Sequence, residues 1–354
     1  MARLALLLSF ALGLTAAAAQ EAIRYTATAA DLAPIGAERR ADLAANPHAK
    51  SATELNALIP ETEVIELDNA IANAAPGETL RVIAWNTERG RHWRDCVRLI
   101  QEHPDLQNPD VILLGEMDLG MARSANEHTT REMALALGMN YAYGVEFLEL
   151  TGGEKEERER HPGENSLGYH GNAILSRYPM KNVRMLRFPG IEYWYANYQK
   201  RLGGRNALLA EIVTGGKTLT LCSTHLESVR GETALRLRQG EMILREIEEH
   251  GGGMPVIFGG DLNARPDEPV IGALRSAGFL VDEANDLATF TAQRLQDGRV
   301  TLWGAHIDYL AVRGLDIARD PSPPAVVVAA YPPGPGEKLL GDHAAVVVNV
   351  KTLR

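Results

Sequence analysis

The chain predicts an α/β fold in which two β-sheets pack face to face with helices outside, a four-layered α/β/β/α sandwich. Three observations carry this. Short apolar runs that end in polar residues recur along the chain, and long helical signals fall between only some of them. Its 354 residues, 45% hydrophobic and 23% charged, are enough to bury a large core.

The elements follow in order. Met1-Ala2-Arg3 precedes an apolar run from Leu4 to about Ala19 that closes in small residues. This is the layout of a cleavable signal peptide over residues 1–19, and the run is shorter than the roughly 20 residues that span a bilayer. Cleavage after Ala19 would make the protein secreted or periplasmic; retention as an anchor is the alternative. Residues 20–76 are Ala-rich and polar, with short helical stretches such as Ala52 to Leu58, and read as an N-terminal extension that is packed on the domain or partly loose.

From residue 77 to 354 the texture is that of one domain. Leu80 to Asn86 is an apolar run delivering a polar residue to a rim, and Arg91 to Glu102 carries helical spacing. Asp110 to Glu116, Asn172 to Ser176, Thr218 to His225, Val256 to Asp261, Ile307 to Val312 and Ala344 to Val350 repeat the strand pattern, with a long helical signal from Gly231 to His250. Thr151 to Ser166, strongly charged, and Asp320 to Gly341, with six prolines and three glycines, read as loops that either are solvated or border a cleft.

A net charge of −10 does not suit sequence-independent binding of polyanions, although a local basic groove or a bound metal can outweigh it. The two cysteines, Cys96 in a helix and Cys222 in a strand, are either bridged or two buried thiols. No obligate protein partner is indicated, and a monomer is expected.

Several strands end in a carboxylate, amide or imidazole: Asn86, Glu116, His225, Asp261 with Asn263, Asp308, and Asp342 with His343. Gathered on one rim, they would set oxygen ligands of the kind preferred by Mg²⁺ or Mn²⁺ beside two imidazoles. Cleavage of a phosphate ester uses such a site, because a metal offsets developing charge and positions substrate and water. Taken singly, each is an ordinary turn, cap or structural group.

Together and in this order, Trp85-Asn86-Thr-Glu88, Leu114-Gly-Glu116, Gly171-Asn172-Ala-Ile-Leu-Ser-Arg177, Ser223-Thr-His225-Leu-Glu, Gly259-Gly-Asp261-Leu-Asn263, His306-Ile-Asp308-Tyr and Gly341-Asp342-His343 resemble the motifs of the endonuclease/exonuclease/phosphatase superfamily. The resemblance runs from about residue 80 to the C-terminus. It implies a DNase I-like fold, with Glu116 as principal metal ligand, Asn86 beside it, Asp342 as a further ligand and Glu88 assisting directly or through water. It also implies that Asp261 and Asn263 orient or deprotonate the attacking water and hold the phosphate. Asp308 would fix His343, and His225 would bind phosphate or serve the leaving oxygen; the order of acid and base between the imidazoles stays open. Gly341 stands where Ser is common before Asp-His, a change that should leave the geometry intact.

Asn172 either contacts substrate or makes a structural hydrogen bond. Arg205 either clamps a phosphate oxygen or forms a surface ion pair. The aromatic stretch Tyr193 to Tyr198 could stack on a base, meet a lipid interface or simply pack. The expected substrate is a phosphate ester: nucleic acid, a phospholipid head group or a small ester. The other reading is a catalytically silent phosphate- or surface-binding protein; its expected sign, loss of Glu116, Asp261 or His343, is absent.

Overall fold

The computed structural model describes residues 21–45, 57–71, 77–189, 200–281, 288–290, 292–294, 300–318, 325–332 and 338–351. Residues 1–19, most of Ala52 to Leu58, and the aromatic stretch 193–198 lie outside the described residues.

Two sheets form the centre. The first has nine strands: in space, Ala325–Val327, Ala345–Lys351, Thr79–Asn86, Val111–Leu119, Tyr169–Ser176, Asn140–Glu149, Ile65–Asp68 and Thr28–Ala29, with Arg201–Gly203 also paired to Asn140–Glu149. The second has seven: Ile23–Tyr25, Lys181–Arg187, Asn206–Thr214, Lys217–His225, Val256–Asp261, Asp308–Arg313 and Leu280–Val281.

Alternation along the strands sets the layers. In Thr79–Asn86, the side chains of Leu80, Val82 and Ala84 enter the core between the sheets, while Ile83 and Trp85 face the outer core under helices Trp93–Glu102 and Thr129–Leu137. In the second sheet Leu221 and Ile257 point inward, and Cys222 and Phe258 pack outward beneath helices Thr233–Gly251 and Pro269–Ser276. A period of two that is apolar on both sides is what a strand covered on both faces requires. The expected four-layered sandwich is the observed fold.

Three readings of the chain change. Part of segment 20–76 enters both sheets: Ile23–Tyr25 pairs antiparallel with Met185 to Arg187, and Ile65–Asp68 pairs with Asn140–Glu149. These strands have three and four residues, too short for a periodic signal. The charged stretch 151–166 contains a helix, Lys155–Arg160, started by a reciprocal capping box between Glu154 and Glu157. Here the sequence shows a charge run, whereas Glu157 is buried among arginines. Within 320–341, Ala325–Val327 adds an edge strand, and Ala330–Tyr331 pairs with Lys338–Leu339. Cys96 and Cys222 are free buried thiols on opposite outer cores.

Candidate active site

Strand register brings the polar ends together. Thr79–Asn86 runs parallel to Val111–Leu119 with Asn86 opposite Gly115, and across the second sheet His225, Asp261 and Asp308 occupy successive positions of one row. The lack of a side chain at Gly260 makes that row possible: its φ is 136°, and a Cβ there would stand 1.9 Å from the Thr224 carbonyl oxygen. Glu116 sits at a bulge in its strand with φ 58°, a left-handed conformation that takes it out of the regular ladder.

Two imidazoles face Asp261 in different states. Arg205 donates from Nη1 to His225 Nδ1 at 2.9 Å. A guanidinium is always a donor, so Nδ1 is the acceptor and the His225 proton is on Nε2, which lies 3.3 Å from Asp261 Oδ2. Burial, then the positive charge of Arg205, holds the His225 pKa well below its ordinary value, and the ring is neutral. His343 is the opposite case. Its Nδ1 lies 2.9 Å from Asp308 Oδ2 and its ring packs on Phe290 at 4.6 Å between centroids. Burial opposes its charge, but Asp308 and then Asp261 outweigh it and raise the pKa to about 10. The His343 Nε2 lies 3.7 Å from Asp261 Oδ2.

Asp261 is therefore between a neutral donor and a cation. Burial, then the charge of Asp308, raises its pKa to about 7. Its Oδ1 accepts from the Asn263 backbone N–H at 2.8 Å, and its Oδ2 from Asn86 Nδ2 at 3.2 Å. The Asn263 side chain donates to the Leu226 carbonyl at 3.2 Å, fixing the turn after the strand.

The acidic members form a second group. Burial, and with it the charges of Asp342 and Glu116, pushes the Glu88 pKa up against the pull of Arg91; burial and Glu116 do the same to Asp342. Glu116 is shifted the other way: against burial, the charge of Arg89 holds its carboxyl well below the usual carboxylate range. Glu88, Glu116 and Asp342 are all-oxygen donors of the kind a hard divalent cation prefers, with Asn86 adjoining. Asp261, Asp308 and His343 also offer ligand atoms within 4.8 Å of one another. That cluster is already joined by the His343–Asp308 hydrogen bond. Glu88, Glu116 and Asp342 have the donor chemistry a hard cation takes but are not gathered to that spacing, with Glu116 paired to Arg89 and Glu88 to Arg91.

Asn172 is fully buried and donates to Glu146 Oε1 at 3.2 Å and Asn206 Oδ1 at 3.0 Å, which is the structural reading. Its own Oδ1, beside Gly115, finds no hydrogen-bond partner among the described residues. Arg205 is not a surface ion pair. It is buried behind His225, with Glu146 at 3.3 Å and Ser228 Oγ at 3.0 Å. Sequence reasoning missed Glu146, Phe290 and Arg89, whose guanidinium pairs with Glu116. Only Arg89 carried a local signal, a cation directly after Glu88 in a motif of ligands.

A model of the Endonuclease/Exonuclease/phosphatase family matches residues 83–343, and the chain belongs to that family. All three activities in the family's name cleave phosphate esters. Among curated relatives, tyrosyl-DNA phosphodiesterase 2 of Bos taurus is 33% identical over 103 residues, 28% of this chain and 26% of the relative. The Rattus norvegicus protein of that name is 35% identical over 212 residues, 59% of this chain and 48% of the relative. These matches span about half or less of the relatives' length. Among solved structures, the human Nocturnin catalytic domain with bound sulfate superposes with a TM-score of 0.54 at 18% identity, covering 81% of this chain and 97% of that one. A Bacteroides thetaiotaomicron family member gives 0.54 at 15% identity, covering 79% and 100%. At such identities the likeness is one of fold.

Proposed function

We infer that the protein is an exported, Mg²⁺- or Mn²⁺-dependent phosphodiesterase or nuclease that cleaves its ester by in-line attack of water. The observation that carries this reading is Asp261 held between a neutral His225 and the His343–Asp308 pair, next to a set of carboxylates. Glu116, Asp342 and Glu88, with Asn86, would hold the metal. When bound, it supplies positive charge against the developing charge of the phosphate.

The chain's own groups do the rest. Asp261, with a pKa near the working pH, takes the proton of the attacking water as the new P–O bond forms. Asn86 and Asn263 keep its two oxygens oriented. His225 Nε2–H and the charged His343 ring donate hydrogen bonds to the phosphate oxygens as the bond to the leaving oxygen breaks. No covalent enzyme intermediate is needed. The relatives named tyrosyl-DNA phosphodiesterase 2 support a phosphodiester substrate, and the apolar N-terminal run supports export.

The test is product release by the purified protein with Mg²⁺, Mn²⁺ or EDTA. The panel is bis-p-nitrophenyl phosphate, p-nitrophenyl phosphate, plasmid DNA, a 5′-tyrosyl oligonucleotide, sphingomyelin and inositol phosphates. Cleavage that requires metal and is lost in Asp261→Ala supports the hydrolase and selects its substrate. Metal-bound silence across the panel would sink the reading in favour of a binding role. N-terminal sequencing of protein recovered outside the cytoplasm should begin at Gln20.

A further inference from the structure

Arg89 has no part in the chemistry above, yet it occupies the expected metal ligand. Its Nη1 pairs with the Glu116 carboxylate, its Nε donates to Glu157 Oε1 at 3.3 Å, and its Nη2 lies 3.8 Å from Glu154 Oε1. The backbone under it is pinned. Arg89 has φ 72°, its carbonyl accepts from Ser124 Oγ at 3.3 Å, and a Cβ on the next residue, Gly90, would fall 2.8 Å from Thr129 Cβ. Only the guanidinium can change partner.

The far side of the guanidinium is built to receive it. Glu154 and Glu157 are the two members of the capping box that begins helix Lys155–Arg160, so their carboxylates are anchored by the backbone at the end facing Arg89. Glu157 is held at 3.0 Å by Arg123 Nη1, itself paired with Asp118 at 2.8 Å. A largely desolvated cation that loses one carboxylate is costly unless another is ready, and beside the half-buried Arg89 two are. Glu116 would then be left needing a cation.

We propose that Arg89 is the resident countercharge of Glu116, which a divalent cation displaces, with the guanidinium passing to Glu154 and Glu157, so that this relay sets the affinity of the metal site. The inference rests on the metal-site reading above. Its consequences are opposite for the two ends of the relay. Removing Arg89 frees Glu116 for metal and leaves a half-buried carboxylate without its guanidinium when metal is absent. Removing Glu154 takes away part of the receiving site and makes displacement harder.

The experiment is calorimetric titration of the full chain with Mn²⁺, together with thermal melting in EDTA and in Mn²⁺, for wild type, Arg89→Gln and Glu154→Gln. Arg89→Gln should bind Mn²⁺ about tenfold tighter, melt lower in EDTA and regain its midpoint in Mn²⁺. Glu154→Gln should bind severalfold more weakly and melt like wild type in EDTA. Equal lowering of the Arg89→Gln midpoint in both conditions, or unchanged affinity, overturns the relay and marks Arg89 as a structural tie. Should Arg89→Gln fail to fold, unchanged affinity in Glu154→Gln overturns it alone. Mn²⁺ binding to none of the three proteins overturns the metal-site reading and the relay together.

Discussion

At the scale of single residues, two histidines of the same type are driven to opposite charge states by what lies behind them: a guanidinium behind His225 and a carboxylate behind His343. Arg205→Met removes the like charge and frees Nδ1, so the His225 pKa moves up towards its ordinary value. The His225 ring, followed by NMR through a pH titration, should then become protonated at higher pH than in wild type. A titration that stays in place would show that Arg205 acts elsewhere. Asp261→Asn should lower turnover by roughly two or more orders of magnitude without lowering the thermal midpoint in EDTA, since burial and Asp308 already disfavour its charge. His343→Ala should cost turnover to a similar degree, but it leaves the buried Asp308 carboxylate without its partner, so its midpoint should fall.

At the scale of elements, the site depends on one strand pairing. Val256–Asp261 lies parallel to Lys217–His225, and the pairing brings Thr224 against Gly260 and His225 against Asp261. Gly260→Ala drives a methyl group into the Thr224 carbonyl and should destabilise the fold by more than about 3 kcal/mol in denaturant melts. A loss below about 1 kcal/mol would mean that the pairing is slack, and would weaken the register argument for the site. The same pairing explains what could be read in advance. Asn86, His225, Asp261 and Asp308 were legible because each borders an apolar run on a strand, and strand ends converge on a rim. Glu146 was not, since its link to the site runs through Arg205, 59 positions away, and through no local pattern. Phe290 meets His343 through a bridge between distant segments, which no local pattern announces. Helix Lys155–Arg160 was hidden because its capping box uses Glu in place of the usual Ser or Thr.

At the scale of the whole molecule, the short strand Ile65–Asp68 ties the N-terminal segment to the first sheet through one buried carboxylate. Glu66 Oε1 accepts from Tyr141 Oη at 2.6 Å and Arg131 Nη2 at 2.7 Å, and lies 2.7 Å from His128 Nε2; its Oε2 accepts from the Leu32 backbone N–H at 3.2 Å. Three separate parts of the chain therefore meet at one side chain. Burial disfavours its charge, but the hydrogen bonds and charge of His128, then Tyr141 and Arg131, outweigh burial and lower its pKa from 4.5 to about 2. The folded protein thus binds this proton less readily than the unfolded chain. Its contribution, on the order of 3 kcal/mol, is complete above the unfolded value and disappears as pH falls through the folded one. Glu66→Gln should accordingly be less stable than wild type at pH 7 by a comparable amount. The gap between the two should close as pH falls from 4.5 towards 2, measured as the difference in urea midpoints at each pH. A gap that stays constant over that window would mean that the amide loses packing rather than charge pairing, and that acid unfolding of this domain begins at other carboxylates.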